Sequence, residues 1–90
     1  MAERRRVHFE GHVQGVGFRY TAVSIARQYP VQGFVQNLSD GQVVVEAEGD
    51  SAELDGFFRD LSATMEHQIR NSTVELGLPP GGFTGFVIRY

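Results

Sequence analysis

From Val7 onward the apolar residues Val7, Phe9 and Val13, with Gly11, are separated by His8, Glu10 and His12. That period of two marks a strand with one apolar and one wet face, and it predicts a first strand over about residues 4–12. Gln14-Gly15-Val16-Gly17 breaks the pattern with two glycines, which predicts a turn. The period then lengthens. Phe18, Ala22, Ile25 and Tyr29, with Ala26 beside them, fall on one stripe of a helix. Pro30 ends that helix, because the residue before proline is driven out of the helical region.

Val31 to Leu38 and Gln42 to Glu48 are two β-prone runs joined around Asp40-Gly41, a dipeptide suited to the tight turn of an antiparallel hairpin. Asp50 and Glu53 stand at capping-box spacing, with Ser51 between them. Leu54, Phe57, Phe58, Leu61 and Met65 follow at helical spacing, so a second helix starts here with its phenylalanines in the core. His67 to Ser72 is polar and predicts a loop. Val74, Leu76 and Leu78 predict a strand, Pro79-Pro80-Gly81-Gly82 a turn, and Phe86, Ile88 and Tyr90 a closing strand. The order β-α-β-β-α-β, with the final β segment open to being split in two, specifies an α+β class. It predicts a ferredoxin-like split βαβ sandwich, an antiparallel sheet with both helices on one face. No repeat or linker interrupts the 90 residues, so one domain over residues 1–90 is expected.

Composition narrows the chemistry. There is no cysteine, which removes thiolate nucleophiles, disulfides and zinc knuckles. All 8 basic residues are arginine, so no lysine is present for a Schiff base or a P-loop. Eleven acids against them leave a net charge of -3, without the basic balance typical of nucleic-acid binders. After Arg4-Arg5-Arg6, His8, Glu10 and His12 interrupt the stretch where the apolar segment of a signal peptide would follow, and no run approaches the ~18 apolar residues of a membrane span. A soluble, cytoplasmic protein is expected, with no membrane or nucleic-acid partner.

The loop Val13-Gln14-Gly15-Val16-Gly17-Phe18 leads from the first strand into the first helix, with Arg19 at the helix entrance. Backbone N–H groups and a helix dipole at such a junction suit an anion, and a guanidinium fork can grip phosphate bidentately. Spacing alone equally allows plain turn glycines and a solvated Arg19. Asn37 stands near the end of the second strand, as an amide with donor and acceptor or as a cap of the Asn-Leu-Ser-Asp-Gly turn.

Gly11-His12-Val13-Gln14-Gly15-Val16-Gly17-Phe18-Arg19, then Gly33-Phe34-Val35-Gln36-Asn37 and Asp40-Gly41-Gln42-Val43, resemble the acylphosphatase family over nearly the whole chain. Glu48-Gly49 and Phe86-Val87-Ile88-Arg89-Tyr90 also match. The resemblance implies a ferredoxin-like fold and metal-free hydrolysis of a carboxyl-phosphate bond, releasing inorganic phosphate. It further implies a phosphate cradle at Val13, Gln14, Gly15, Val16, Gly17 and Phe18, phosphate binding by Arg19, and a water oriented by Asn37. A monomer acting on a small acyl phosphate without a cofactor is expected. The chain departs from the family pattern at His12, where Lys or Arg is usual, at Phe34, where Trp is common, at Tyr29-Pro30, and in lacking a Gly-Pro pair after the second helix.

Other constellations are weaker. His8 and His12 share a strand face but stand roughly 13 Å apart, too far for one metal. Glu46 and Glu48, roughly 7 Å apart, fit a solvated sheet face better than a carboxylate pair for sugar hydrolysis. Ser24, Asp60 and His67 lack any triad signature. Two rival functions remain, a catalytically silent module that binds a phosphorylated ligand, and an RNA-binding sheet. Gly15-Val16-Gly17-Phe18 and Phe34 faintly resemble RNA-recognition aromatics, but the acidic balance opposes that reading.

Overall fold

The computed structural model describes residues 2–79 and 81–90. Its elements are β1 (Ala2–Gly11), α1 (Phe18–Ala26), β2 (Gln32–Asn37), β3 (Val43–Asp50), α2 (Ser51–Thr64), β4 (Ile69–Glu75) and β5 (Phe86–Arg89). The strands form one sheet in the order β4-β1-β3-β2-β5. Pairs β1·β3, β1·β4 and β2·β3 are antiparallel, as expected, whereas β5 runs parallel to β2. The sheet is therefore mixed, and the last β segment is split. Its halves lie on opposite edges, so residues 76–85 must carry the chain across the sheet before β5 can pair.

One face of the sheet holds the core. Val7 and Phe9 of β1, Val35 of β2 and Val43, Val45 and Ala47 of β3 point the same way, as alternation requires. Phe18, Ala22 and Ile25 of α1 and Leu54, Phe57 and Leu61 of α2 pack on them. This is the ferredoxin-like α+β arrangement. α1 ends at Ala26, short of Tyr29, and the chain finishes in tighter i to i+3 bonds from Gln28 N–H to Ile25 C=O and from Tyr29 N–H to Ala26 C=O. Tyr29 still reaches the core, edge-on to Phe57 with ring centroids 6.4 Å apart. α2 starts where expected, with Asp50 extended at the N-cap (φ −68°, ψ 146°) and Glu53 in the first turn. The side-chain cap bond that the capping box requires is not made there. Glu53 instead contributes through its charge at the positive end of the helix dipole.

Two further expectations are corrected. The predicted loop at 67–72 is strand from Ile69, and Leu76 and Leu78 lie beyond the strand predicted for them. β4 is an edge strand held by its backbone ladder to β1, from Arg6↔Glu75 to Glu10↔Asn71, and Arg70 to Glu75 are exposed on both faces. Such a strand has no alternation to read. The predicted turn at 79–82 includes Pro80, which lies outside the described residues.

The second correction concerns Glu46, which is not solvated but 2% exposed. Opposite it across the β1·β3 ladder stands Arg6, and its Oε1 accepts from Arg6 Nη2 at 2.6 Å and from Arg4 Nη2 at 3.0 Å. A buried carboxylate persists only when so paired. Pro79, Gly81 and Phe83 lie over these groups. Arg4 Nη1 donates to Pro79 C=O at 2.8 Å, Gly81 N–H donates to Glu48 Oε1 at 2.6 Å, and Phe83 packs edge-on to Phe34 at 5.8 Å. These three residues thus cover part of the face on which no helix packs.

Candidate active site

The end of β1, the end of β2 and the first turn of α1 meet at one end of the sheet. Between them is a pocket of about 200 Å³ lined by Val13, Gly15, Gly17, Phe18, Arg19, Tyr20 and Asn37. Six of the eight predicted site residues therefore meet in one place. The other two belong to the loop but turn away from the pocket. Val16 packs against the core, and Gln14 reaches toward the β2–β3 turn.

The loop takes its shape from glycine. Gly15 (φ 77°) and Gly17 (φ 79°) adopt the left-handed conformation, and a Cβ at either would meet no atom within 4 Å. Glycine is needed there for its backbone angle, not for room. Gly17 is the N-cap of α1, and the first bond of the helix is Thr21 N–H to Gly17 C=O at 3.0 Å. The N–H groups of Phe18, Arg19 and Tyr20 are left at the mouth of the helix, with no side-chain cap and no acid in the first turn. The positive end of the helix dipole adds to them. A helix mouth of this kind suits an anion.

Arg19 stands at the same mouth, half-buried. Among the described residues its guanidinium has no carboxylate within ion-pair distance, and its contact is the ring of Tyr90, 5.2 Å away. That stacking holds the side chain while leaving its N–H fork free. Asn37 closes β2 opposite Val43 of β3, on the helix-covered face of the sheet with Val35. Its Oδ1 is buried and, among the described residues, has no hydrogen-bond partner. A buried acceptor left unmet inside a pocket costs free energy, on the order of 1–3 kcal/mol, which a ligand's proton would recover.

The histidines stay apart from this site. His12 is exposed beyond the irregularity at Glu10/Gly11, its N–H bonded to Gln68 C=O at 2.9 Å, and it does not line the pocket. His8 Nε2 faces Glu75 Oε1 at 3.5 Å. Among the described residues no three His, Asp or Glu side chains gather as metal ligands. No helix among them is long and apolar enough to cross a membrane. Sequence reasoning missed Tyr20 and Tyr90. Tyr20 was detectable, since it follows Arg19 in the first turn and sits off the apolar stripe. Tyr90 was not, because it arrives through the parallel pairing of β5.

The acylphosphatase family model matches residues 5–88 of the chain. An acylphosphatase of Thermotoga petrophila is 34% identical over 85 residues, 94% of each chain. One of Methanospirillum hungatei is 45% identical over 67 residues, covering 72% of this chain and 74% of its own length. The crystal structure of acylphosphatase from Bacillus subtilis superposes over 100% of both chains, with a TM-score of 0.88 at 29% identity.

Proposed function

The chain belongs to the acylphosphatase family, and from that premise we propose that it hydrolyses acyl phosphates to carboxylate and inorganic phosphate in the pocket at the mouth of α1. The supporting observation is the meeting, in one pocket, of a row of helix-mouth N–H groups with an arginine and an asparagine Oδ1 that are both unpartnered among the described residues.

Each group has one task. The loop from Val13 to Phe18 and the first N–H groups of α1 hold the phosphoryl oxygens, and Arg19 adds a bidentate grip with full charge. In a loose phosphoryl-transfer transition state negative charge spreads over the equatorial oxygens, which is where these donors are aimed. Asn37 Oδ1 accepts a hydrogen bond from the attacking water and holds it in line with the bond to the leaving group. An amide is no base, so the water's proton passes to a phosphoryl oxygen of the substrate. The bond formed is from water oxygen to phosphorus, and the bond broken is from phosphorus to the acyl oxygen. The departing carboxylate, whose conjugate acid has a pKa of about 4, needs no protonation. The reaction as written uses neither a metal nor a cofactor.

Hydrolysis of benzoyl phosphate by wild type and Asn37→Ala, with and without a chelator, tests this reading. Asn37→Ala is expected to lose about 10²-fold or more in kcat while inorganic phosphate still competes with nearly wild-type affinity. Full turnover by Asn37→Ala, or loss of wild-type activity on chelation, overturns the corresponding step. A wild-type chain that binds phosphate but does not turn over benzoyl phosphate is the silent binding module instead.

A further inference from the structure

Gln14 lies in the middle of the loop, yet its side chain leaves the pocket. Its Nε2 donates to Leu38 C=O at 2.7 Å and to Gln42 C=O at 2.9 Å. Both protons of one carboxamide nitrogen are thereby used, and the two acceptors are the residues that close the β2–β3 hairpin. Leu38 N–H donates to the same Gln42 carbonyl at 2.8 Å, and Gly41 N–H to the same Leu38 carbonyl at 3.2 Å. Each carbonyl has two lone pairs, so Gln14 takes the second on each without displacing the turn's own bonds. Leu38 directly follows Asn37 in the chain. The side chain therefore ties the loop to the strand end that carries Asn37, across 24 and 28 residues of sequence.

Resting on the reading in which the loop binds phosphate and Asn37 places the water, we infer that Gln14 is a positioning residue. Its carboxamide is a strut that sets the separation between the phosphoryl group and the water held by Asn37. The phosphate contacts come from the loop's own N–H groups and Arg19, so losing the strut leaves phosphate affinity largely in place. What suffers is alignment, and a misplacement of about 1 Å costs up to about 10²-fold in rate. The donor requirement is specific. Of near-isosteric side chains, methionine offers no proton, and an ionised glutamate sets a carboxylate against two carbonyl oxygens.

The test measures benzoyl phosphate hydrolysis and competition by inorganic phosphate for wild type, Gln14→Met, Gln14→Glu, Asn37→Ala and the double variant Gln14→Met/Asn37→Ala. Gln14→Met is expected to lower kcat about tenfold or more, with phosphate inhibition within about threefold of wild type. Added to Asn37→Ala it is expected to cost nothing further, since the strut acts through Asn37. Protonation returns one donor to Gln14→Glu, so its kcat relative to wild type should rise as pH falls from about 7.5 to about 5. Glu10, within 3.5 Å of Gln42 Nε2, Asp40, which accepts from Gln42 N–H at 3.0 Å, and Arg70 share this corner. Wild type is therefore measured at each pH to remove their contribution.

The inference is overturned if Gln14→Met keeps kcat within about twofold of wild type, if phosphate affinity falls as far as kcat, if the double variant is additive, or if the Gln14→Glu ratio is flat with pH. Should Gln14→Met fail to fold, the pH comparison within Gln14→Glu decides alone. A wild type without turnover, or Asn37→Ala at full speed, instead sinks the functional reading and the strut with it.

Discussion

Arg19 owes its value to what it does not touch. Seven of the chain's 8 arginines lie elsewhere, and Arg4, Arg5 and Arg6 are spent on Glu46, Glu3, Asp55 and Glu75. Arg19 rests on the Tyr90 ring and keeps its fork unpaired among the described residues. Replacing it by lysine keeps a positive charge but loses the planar fork, which cannot be rebuilt from a single ammonium. Arg19→Lys is therefore expected to raise KM for benzoyl phosphate and lower kcat together, for a loss of about 10²-fold or more in kcat/KM. Unchanged steady-state constants would remove Arg19 from the reaction. At this scale the residues that line the candidate pocket were legible in the sequence. Gly15, Gly17, Arg19 and Asn37 each bring a property that few residue types have: a left-handed backbone, a bidentate cation, or a neutral donor–acceptor pair. Gln14 was legible only as a member of the loop, because a glutamine's partners are not written in its neighbours.

Among the elements, the helices were the most readable and β4 the least. A helix buries a stripe of its own residues, whereas β4 is defined by the β1 backbone beside it. A polar contact also joins the end of α1 to α2. The Tyr29 hydroxyl, just past α1, donates to Asp60 Oδ2 of α2, and the Tyr29 ring lies so close to Gly56 that a Cβ there would come within 2.6 Å of it. The hydrogen bond to Asp60, helped by desolvation, raises the Tyr29 phenol above its ordinary value of 10.0. A folded-state pKa raised above the unfolded one contributes stability that is fully present below about pH 10 and is lost as pH climbs through the raised value. Urea midpoints between about pH 8 and 11.5 are expected to fall in the alkaline range for wild type and to fall less steeply for Tyr29→Phe. Parallel curves for the two proteins would show that this contact does not couple α1 to α2.

For the molecule as a whole, the two ends of the sheet are used differently. One end holds the pocket, at the ends of β1 and β2 and the start of α1. Toward the other, Pro79 and Gly81 contact Arg4 and Glu48 on the open face, where Arg4 also pairs with Glu46. Removing the carboxylate by Glu46→Ala strands Arg4 and Arg6, whose side chains are only 18% and 32% exposed. We expect it to cost about 2–3 kcal/mol of stability, less than a fully buried pair because both guanidinium groups still reach water. Urea unfolding measures that loss, and kcat/KM of the folded variant is expected to stay within about twofold of wild type, since Glu46 lies outside the pocket. An unchanged urea midpoint would mean that Glu46 does not stabilise the fold through Arg4 and Arg6. By itself the sequence determined the order of the elements, the α+β class, the glycine loop and the identities of Arg19 and Asn37, because these depend on local periodicity and on chemistry confined to short motifs. Tertiary structure alone decided the β4 register, the parallel edge formed by β5, the burial of Glu46, the approach of Tyr90 to Arg19 and the strut from Gln14 to the β2–β3 turn. Each of these joins residues far apart in the chain, where what a side chain meets depends on which strands become neighbours and not on the residues beside it.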